Sequence, residues 1–254
     1  MKFLVLKKHT LIFATLLIAL CTMLSIPFGE NSAASVFFGD NLRKVPIYSV
    51  QTDEKKVAIS FDAAWGADKT EGIINILKEY KVSATFFLVG FWVEDYPEQA
   101  KMVSESGFEI GTHSNTHPDM TKLSKEDITL ELNTSIQKIQ EATGKTPKLF
   151  RAPFGSYNNT LLNVAEKLNL ISIQWDVDSL DWKGISAKEI CSRITSKVKN
   201  GSIILCHNNS KNILDALPMV LESLKNKGYT ITSVGELIYK DNYTIDRAGV
   251  QKKI

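Results

Sequence analysis

From residue 46 onward the chain alternates between two hydrophobic periods. Short apolar runs, VAISF at 57–61 and ATFFLV at 84–89, read as buried strands. Between them, residues 69–80 place Ile73, Ile76, Leu77 and Tyr80 on one helical face. The pattern then predicts a helix over 97–106, stopped by Gly107, and a short strand over 108–111. The clearest helix spans 125–142: Ser124 can cap it, Asp127 follows three residues later, and Ile128, Leu132, Ile136 and Ile139 line one face. Next come a strand at 148–150, a helix at 159–168, a strand at 171–175, a helix at 187–199 and a strand at 202–205. A helix from Pro218 to Lys227 follows, with Pro218 in its first turn and Gly228 as its stop, and then a strand at 229–232. Strands alternating with helices of this length make βα units on a parallel sheet covered on both faces. About seven units in roughly 195 residues point to a barrel, complete or incomplete, rather than an open nucleotide-binding sheet. Neither G-x-G-x-x-G nor G-x-x-x-x-G-K-[ST] occurs.

The N-terminus departs from this alternation. Lys2, Lys7 and Lys8 precede an uncharged run of 20 residues, 10–29, and the next charge is Glu30. A positive flank followed by an apolar stretch is the pattern of a secretory signal or a single membrane anchor. The length is roughly that of a membrane-spanning helix, while Pro27 and the small residues Ser32, Ala33 and Ala34 suit cleavage, so both forms stay open. Residues 1–34 are therefore expected to export the remainder, with 35–45 as a linker, 46–240 as the folded domain and 241–254 as a C-terminal tail. The expected location is outside the cell, secreted or anchored to the outer face of the membrane.

Composition narrows the choice further. With 44% hydrophobic and 23% charged residues, the chain can bury a core. Residues 1–34 hold three of the 30 basic and one of the 28 acidic residues, which leaves a neutral outer domain with no field to attract nucleic acid. The three cysteines, 21, 191 and 206, form no C-x-x-C pair, which excludes a thiolate zinc finger and a thioredoxin-type site. No structural disulfide is expected.

The residues just past the strands carry the chemistry. Asp62 follows VAISF, His113 follows FEIGT, Arg151 follows KLF, Asp178 follows ISIQWDV with Asp181 close behind, and His207 follows SIILC. One such residue is more often a turn or a cap. Five on five strands converge on the C-terminal face of a barrel, where active sites form. His113 and His117 stand four apart beside Pro118 in a polar loop, a spacing at which two imidazoles can share one metal.

The segments SFDAAWG (60–66), HSNTH (113–117), RAPFG (151–155), DSLDW (178–182) and LCH (205–207) occur in order over about 190 residues. Together they resemble the five motifs of carbohydrate esterase family 4, the NodB-homology polysaccharide deacetylases, and most of all a sporulation-associated branch. The resemblance implies a distorted (β/α)7 barrel. It also implies a hydrolase of carbon–nitrogen bonds that removes N-acetyl groups from glycan, with peptidoglycan or a chitin-like polymer as partner. By resemblance Asp62 is the general base, His207 the general acid, and His113 and His117 hold a divalent metal such as zinc or cobalt. Arg151 pairs with Asp62, and Asp181 hydrogen-bonds His207. A backbone N–H near Phe154 receives the oxyanion together with the metal. Trp182 and Leu205 line the acetyl and sugar pocket; Trp65 either stacks on a sugar or packs at the rim.

The sequence departs from that pattern at one position. The family's first motif carries a second Asp, the third metal ligand, where this chain has Ala63. Asp68 in the same loop is the one substitute in reach by sequence. The last motif reads His-Asn-Asn at 207–209. The resulting expectation is an exported peptidoglycan deacetylase, with a non-catalytic glycan-binding relative, its metal site decayed, as the alternative.

Overall fold

A computed structural model of the chain describes residues 43–254. The expected leader at 1–34 and most of the expected linker lie outside the described residues. Among the described residues, no helix is long and apolar enough to cross a membrane.

Seven strands follow one parallel path. In chain order they are β2 (Lys56–Ala63), β3 (Thr85–Leu88), β4 (Glu109–Thr112), β5 (Leu149–Phe150), β6 (Ile171–Ser172), β7 (Val177–Asp178) and β8 (Ile203–His207). The spatial order is β6-β5-β4-β3-β2-β8-β7. A further strand, β9 (Thr230–Thr232), pairs with the start of β2. The sheet curls into a half-barrel wrapped by eight helices, a distorted (β/α)7 barrel as the resemblance implied. β2 is the central staple, flanked by β3 through residues 60–63 and by β8 through residues 58–62.

The helices are α1 (Thr70–Glu79), α2 (Gly90–Asp95), α3 (Pro97–Glu105), α4 (Lys125–Thr143), α5 (Asn159–Lys167), α6 (Ala187–Lys197), α7 (Ile213–Asn226) and α8 (Val234–Leu237). In α4 the Ser124 hydroxyl accepts from the Asp127 N–H, as its spacing predicted, and left-handed Gly144 ends the helix. Apolar side chains on the outer face of the sheet, Val57, Ile59 and Phe61 among them, pack on Ile73, Leu77, Leu217 and Leu221. A smaller cluster inside the curl joins Ala58, Phe87, Leu149 and Ile203.

Four sequence expectations are corrected. The helix expected from Pro218 begins at Ile213, five residues earlier. Ile213, Ala216, Leu217, Val220, Leu221 and Leu224 form one continuous buried stripe, and its burial outweighs the cost of an interior proline, about 3 kcal/mol. The strand expected over 171–175 stops at Ser172, because the chain leaves the ladder at Gln174 to bond Ile47 and re-enters as β7. α2 was not foreseen; its six residues are too few to show a helical period. The end of the chain, expected as a tail, forms β10 (Tyr243–Ile245) and β11 (Val250–Lys253), which build a small sheet with β1 (Ser49–Val50). Lys44–Ile254 is one compact unit.

Candidate active site

At the C-terminal edge of the parallel sheet lies a cavity of about 660 Å³. Asp62, His113, His117, Phe154, Trp182, Leu205 and His207 all line it. Arg151 and Asp181, both fully buried, stand behind it and hold the residues that face it. All nine sequence-derived site residues therefore converge. The strand register brings them together: Asp62 on β2 is the direct partner of His207 on β8, and His113 and Arg151 follow the paired residues Thr112 and Phe150.

The centre is an ion pair out of water. Arg151 Nη1 donates to Asp62 Oδ1 at 2.7 Å, and the guanidinium lies over the Phe87 ring, 4.1 Å from its centroid. Burial alone pushes the Asp62 carboxyl up. The Arg151 charge and hydrogen bond, with the His207 charge beyond, outweigh burial and hold it below the ordinary carboxylate value. Arg151 Nη2 donates to the Gln174 carbonyl at 3.2 Å, which fixes the fork from the second side.

His207 sits on a different support. Its Nδ1 is 2.7 Å from Asp181 Oδ1, and its backbone N–H donates to Asp181 Oδ2 at 2.9 Å. Burial pulls this imidazole down, but the Asp181 hydrogen bond and charge, with Asp62 and Asp178 beyond, raise it above its ordinary value. A neutral or cationic ring with its Nδ1 proton on Asp181 turns Nε2 toward the cavity.

His113 is 2.7 Å from the Arg151 carbonyl oxygen through Nδ1. A carbonyl only accepts, so Nδ1 carries the proton and Nε2 faces Asp62 Oδ2 at 3.5 Å. Burial is the main force keeping His113 neutral. His117 packs edge-on against His113, Trp65 and Phe154, with ring centroids 4.7 to 4.9 Å apart. Burial first, and then the neighbouring His113, lowers its pKa to about 4. His117, Ser114, Phe154 and Leu180 all carry positive φ without being glycine, which concentrates backbone strain around the cavity.

Two imidazole nitrogens are thus available to a metal, and His113 is held in the tautomer a metal needs. Among the described residues no third donor joins them. Asp68 is exposed and does not line the cavity. Ala63 is fully buried in the apolar cluster on the outer face of the sheet. The cause is strand length: β2 continues through residue 63, which pairs with Leu88 and accepts from the Val89 N–H. Pleat alternation then sends residue 62 to the cavity and residue 63 to the opposite face. Among the described residues no group of three His, Cys, Asp or Glu side chains is placed to share an ion. Catalytic zinc takes three protein ligands, so this set does not fit a tightly held ion.

Sequence reasoning missed several lining residues. Trp175 enters because the strand breaks before it, and Asn208, Asn209, Ser210 and Lys211 enter as a run directly after β8. Their signal was position alone, immediately beyond a strand end that already carried His207. Trp65, left open between two roles, is a lining residue that is 64% exposed at the mouth.

The curled parallel sheet thus carries a buried carboxylate and a supported histidine at its strand ends, facing one cavity. The polysaccharide deacetylase family profile matches residues 49–172. The chain is 34% identical over 199 residues to YlxY of Bacillus subtilis, an uncharacterized protein, covering 78% of this chain and 62% of that one. It is 32% identical over 194 residues to the peptidoglycan-N-acetylglucosamine deacetylase PgdA of Listeria monocytogenes, covering 76% of this chain and 41% of that one. It is 30% identical over 197 residues to the peptidoglycan-N-acetylmuramic acid deacetylase PdaA of Bacillus subtilis, covering 76% and 75%. Among solved structures, BA3943 of Bacillus anthracis, a family pseudoenzyme, superposes with a TM-score of 0.75 at 31% identity, covering 85% of this chain and 72% of that one. A BA3943 mutant with restored activity superposes equally well, at 32% identity and covering 85% and 75%. This chain belongs to the polysaccharide deacetylase family, carbohydrate esterase family 4, whose enzymes hydrolyse N-acetyl carbon–nitrogen bonds and generally depend on a metal.

The His207–Asp181 pair yields a direct prediction. In an NMR titration of the imidazole, the His207 midpoint lies above the ordinary value of 6.5. Asp181→Asn removes the largest raising influence and leaves burial less opposed, so the midpoint falls. Because the folded value is raised, the pair's stabilisation is complete below about pH 6.5 and is lost as pH rises through the folded midpoint. An unchanged midpoint in the variant contradicts the assignment.

Proposed function

We propose that this chain is an exported deacetylase that removes N-acetyl groups from peptidoglycan. The observation that carries the reading is the pairing of Asp62 and His207 as register partners on adjacent strands, each with its own buried support. A base and an acid with opposed pKa shifts, facing one cavity, is the arrangement amide hydrolysis requires. PgdA and PdaA, by their names, act on the two amino sugars of peptidoglycan, and both sugars carry the same acetamido group.

The steps follow from the chain's own groups. Asp62, kept ionised by Arg151, takes a proton from a water molecule. The water oxygen adds to the acetamido carbonyl carbon. The oxyanion that forms is met by the backbone N–H at Phe154, in the strained turn Pro153–Gly155. His207 gives its Nε2 proton to the amide nitrogen as the carbon–nitrogen bond breaks, and acetate and a free amine leave. The exposed rings of Trp65 and Trp182, with Phe154, form an apolar mouth on which sugar faces stack. A metal at His113 and His117 would polarise the carbonyl if a third ligand completed the site. The two-nitrogen set gives no step to derive through it.

That incomplete set also favours a second reading: a glycan-binding relative without turnover, as BA3943 is called a pseudoenzyme. Release of acetate from N-acetylated peptidoglycan separates the two. Asp62→Asn and His207→Ala each lower release by about 10²-fold or more, as loss of acid–base catalysis does, measured on variants that circular dichroism shows to be folded. No release from the unaltered protein supports the second reading, and release unaffected by both substitutions refutes the mechanism.

Export rests on the positive flank and 20-residue uncharged run at the N-terminus. The retained-anchor form predicts that protease added to intact cells removes the domain; a domain protected until lysis contradicts it.

A further inference from the structure

The loop after β8 holds polar chemistry that the hydrolytic steps above leave unused. Asn208, Asn209, Ser210 and Lys211 all line the cavity, in sequence directly after His207. The loop is built in: Asn208 Nδ2 donates to the Gly66 carbonyl at 2.9 Å, and Lys69 Nζ donates to the Asn209 carbonyl at 3.3 Å. Gly66 is what lets the loop come so close, since a Cβ there would meet the Asn209 side chain at 2.1 Å. Ser210 is 7% exposed, and its hydroxyl is buried with no hydrogen-bond partner. A buried polar group left unpaired in a cavity wall costs stability unless a ligand meets it.

Charge points the same way. Asp62 is neutralised by Arg151 and Asp181 by His207. That leaves Asp178 and Lys211 as the lining ions. Asp178 is partly satisfied, because its Oδ1 accepts from the Leu180 N–H at 2.8 Å. Lys211 is the one Lys or Arg among the lining residues, and among the described residues it has neither a hydrogen bond nor an ion pair. Lys211 follows Ser210 directly along the cavity wall, and its unpaired ammonium favours a carboxylate over a neutral hydroxyl.

We infer that the 208–211 loop, through Lys211 and Ser210, is a carboxylate subsite that selects the 3-O-lactyl group of N-acetylmuramic acid over unsubstituted N-acetylglucosamine. The inference rests on the deacetylase reading for where the sugar sits. The two sugars differ at C3, the carbon next to the one bearing the acetamido group. An acetamido held between Asp62 and His207 therefore carries its lactyl carboxylate toward the same wall. Asp178, the other lining ion, repels an anion, which leaves Lys211 as its partner.

Binding tests this separately from turnover. Calorimetry on the full chain compares two probes: a peptide-free disaccharide of N-acetylglucosamine and N-acetylmuramic acid, and N,N′-diacetylchitobiose. The lactyl-bearing probe binds at least tenfold more tightly, and added salt narrows the ratio. Lys211→Met collapses the ratio by at least tenfold, and Ser210→Ala reduces it in part. Equal affinities in the unaltered protein, no binding of either probe, or a ratio that survives Lys211→Met overturns the subsite. Acetate release from the same probes reports on the deacetylase reading alone. A preserved, Lys211-dependent binding ratio without acetate release leaves the subsite standing and rejects the enzyme.

Discussion

The site is organised around one buried ion pair. Arg151 is fully buried and Asp62 is 5% exposed, so neither charge has water to fall back on. A buried charge without its partner costs several kcal/mol, which makes each residue a condition for the other. The pair joins two separate strands: Asp62 belongs to β2 and Arg151 follows β5. Its supports extend it further. Gln174 accepts from the guanidinium beyond β6, Phe87 of β3 lies beneath it, and the Arg151 carbonyl orients His113 beyond β4. One electrostatic requirement therefore sets the mouth of most of the half-barrel, and the geometry of the cavity follows from keeping that pair satisfied.

The same strand that delivers Asp62 also explains the metal site. β2 stays in register with β3 through Ala63, and its pleat turns the methyl into the apolar layer behind the sheet. In this chain both the side chain at position 63 and the face it occupies leave the two histidines without a third ligand among the described residues. Asp62 and His113 face each other across 3.5 Å with Arg151 supplying the positive charge, which keeps Asp62 ionised.

Much of this was legible in the sequence, for definite reasons. Strands buried on both faces write themselves as continuous apolar runs, so VAISF and ATFFLV located β2 and β3 and, with them, the residues at their ends. α4 declared its start through Ser124 and its face through Ile128, Leu132 and Ile139. Short elements were legible in place but not in extent: β5 lies within the strand expected at 148–150 and β6 starts at the expected residue 171. β5, β6 and β7 are two residues each, and the break between β6 and β7 follows from Gln174 bonding to Ile47, a contact far away in sequence. Pro218 was misread as a helix start because propensity is local, whereas the burial that carries α7 through it is tertiary. Trp175, Ser210 and Lys211 carried no periodic or motif signal, and only the curl of the sheet places them on the cavity. At position 63 the residue type was readable, but the direction it faces was not.

A double-mutant cycle on folding stability tests the central dependence most directly. Urea denaturation of Arg151→Met, Asp62→Asn and the combined variant measures whether the two residues act as one unit. The account predicts that Arg151→Met alone costs about 3–5 kcal/mol, because it strands a buried carboxylate. Adding Asp62→Asn then recovers about 1 kcal/mol or more, because the stranded charge is gone. Single costs that simply add, within about 0.5 kcal/mol, would show that the pair is not the constraint on which the site is built.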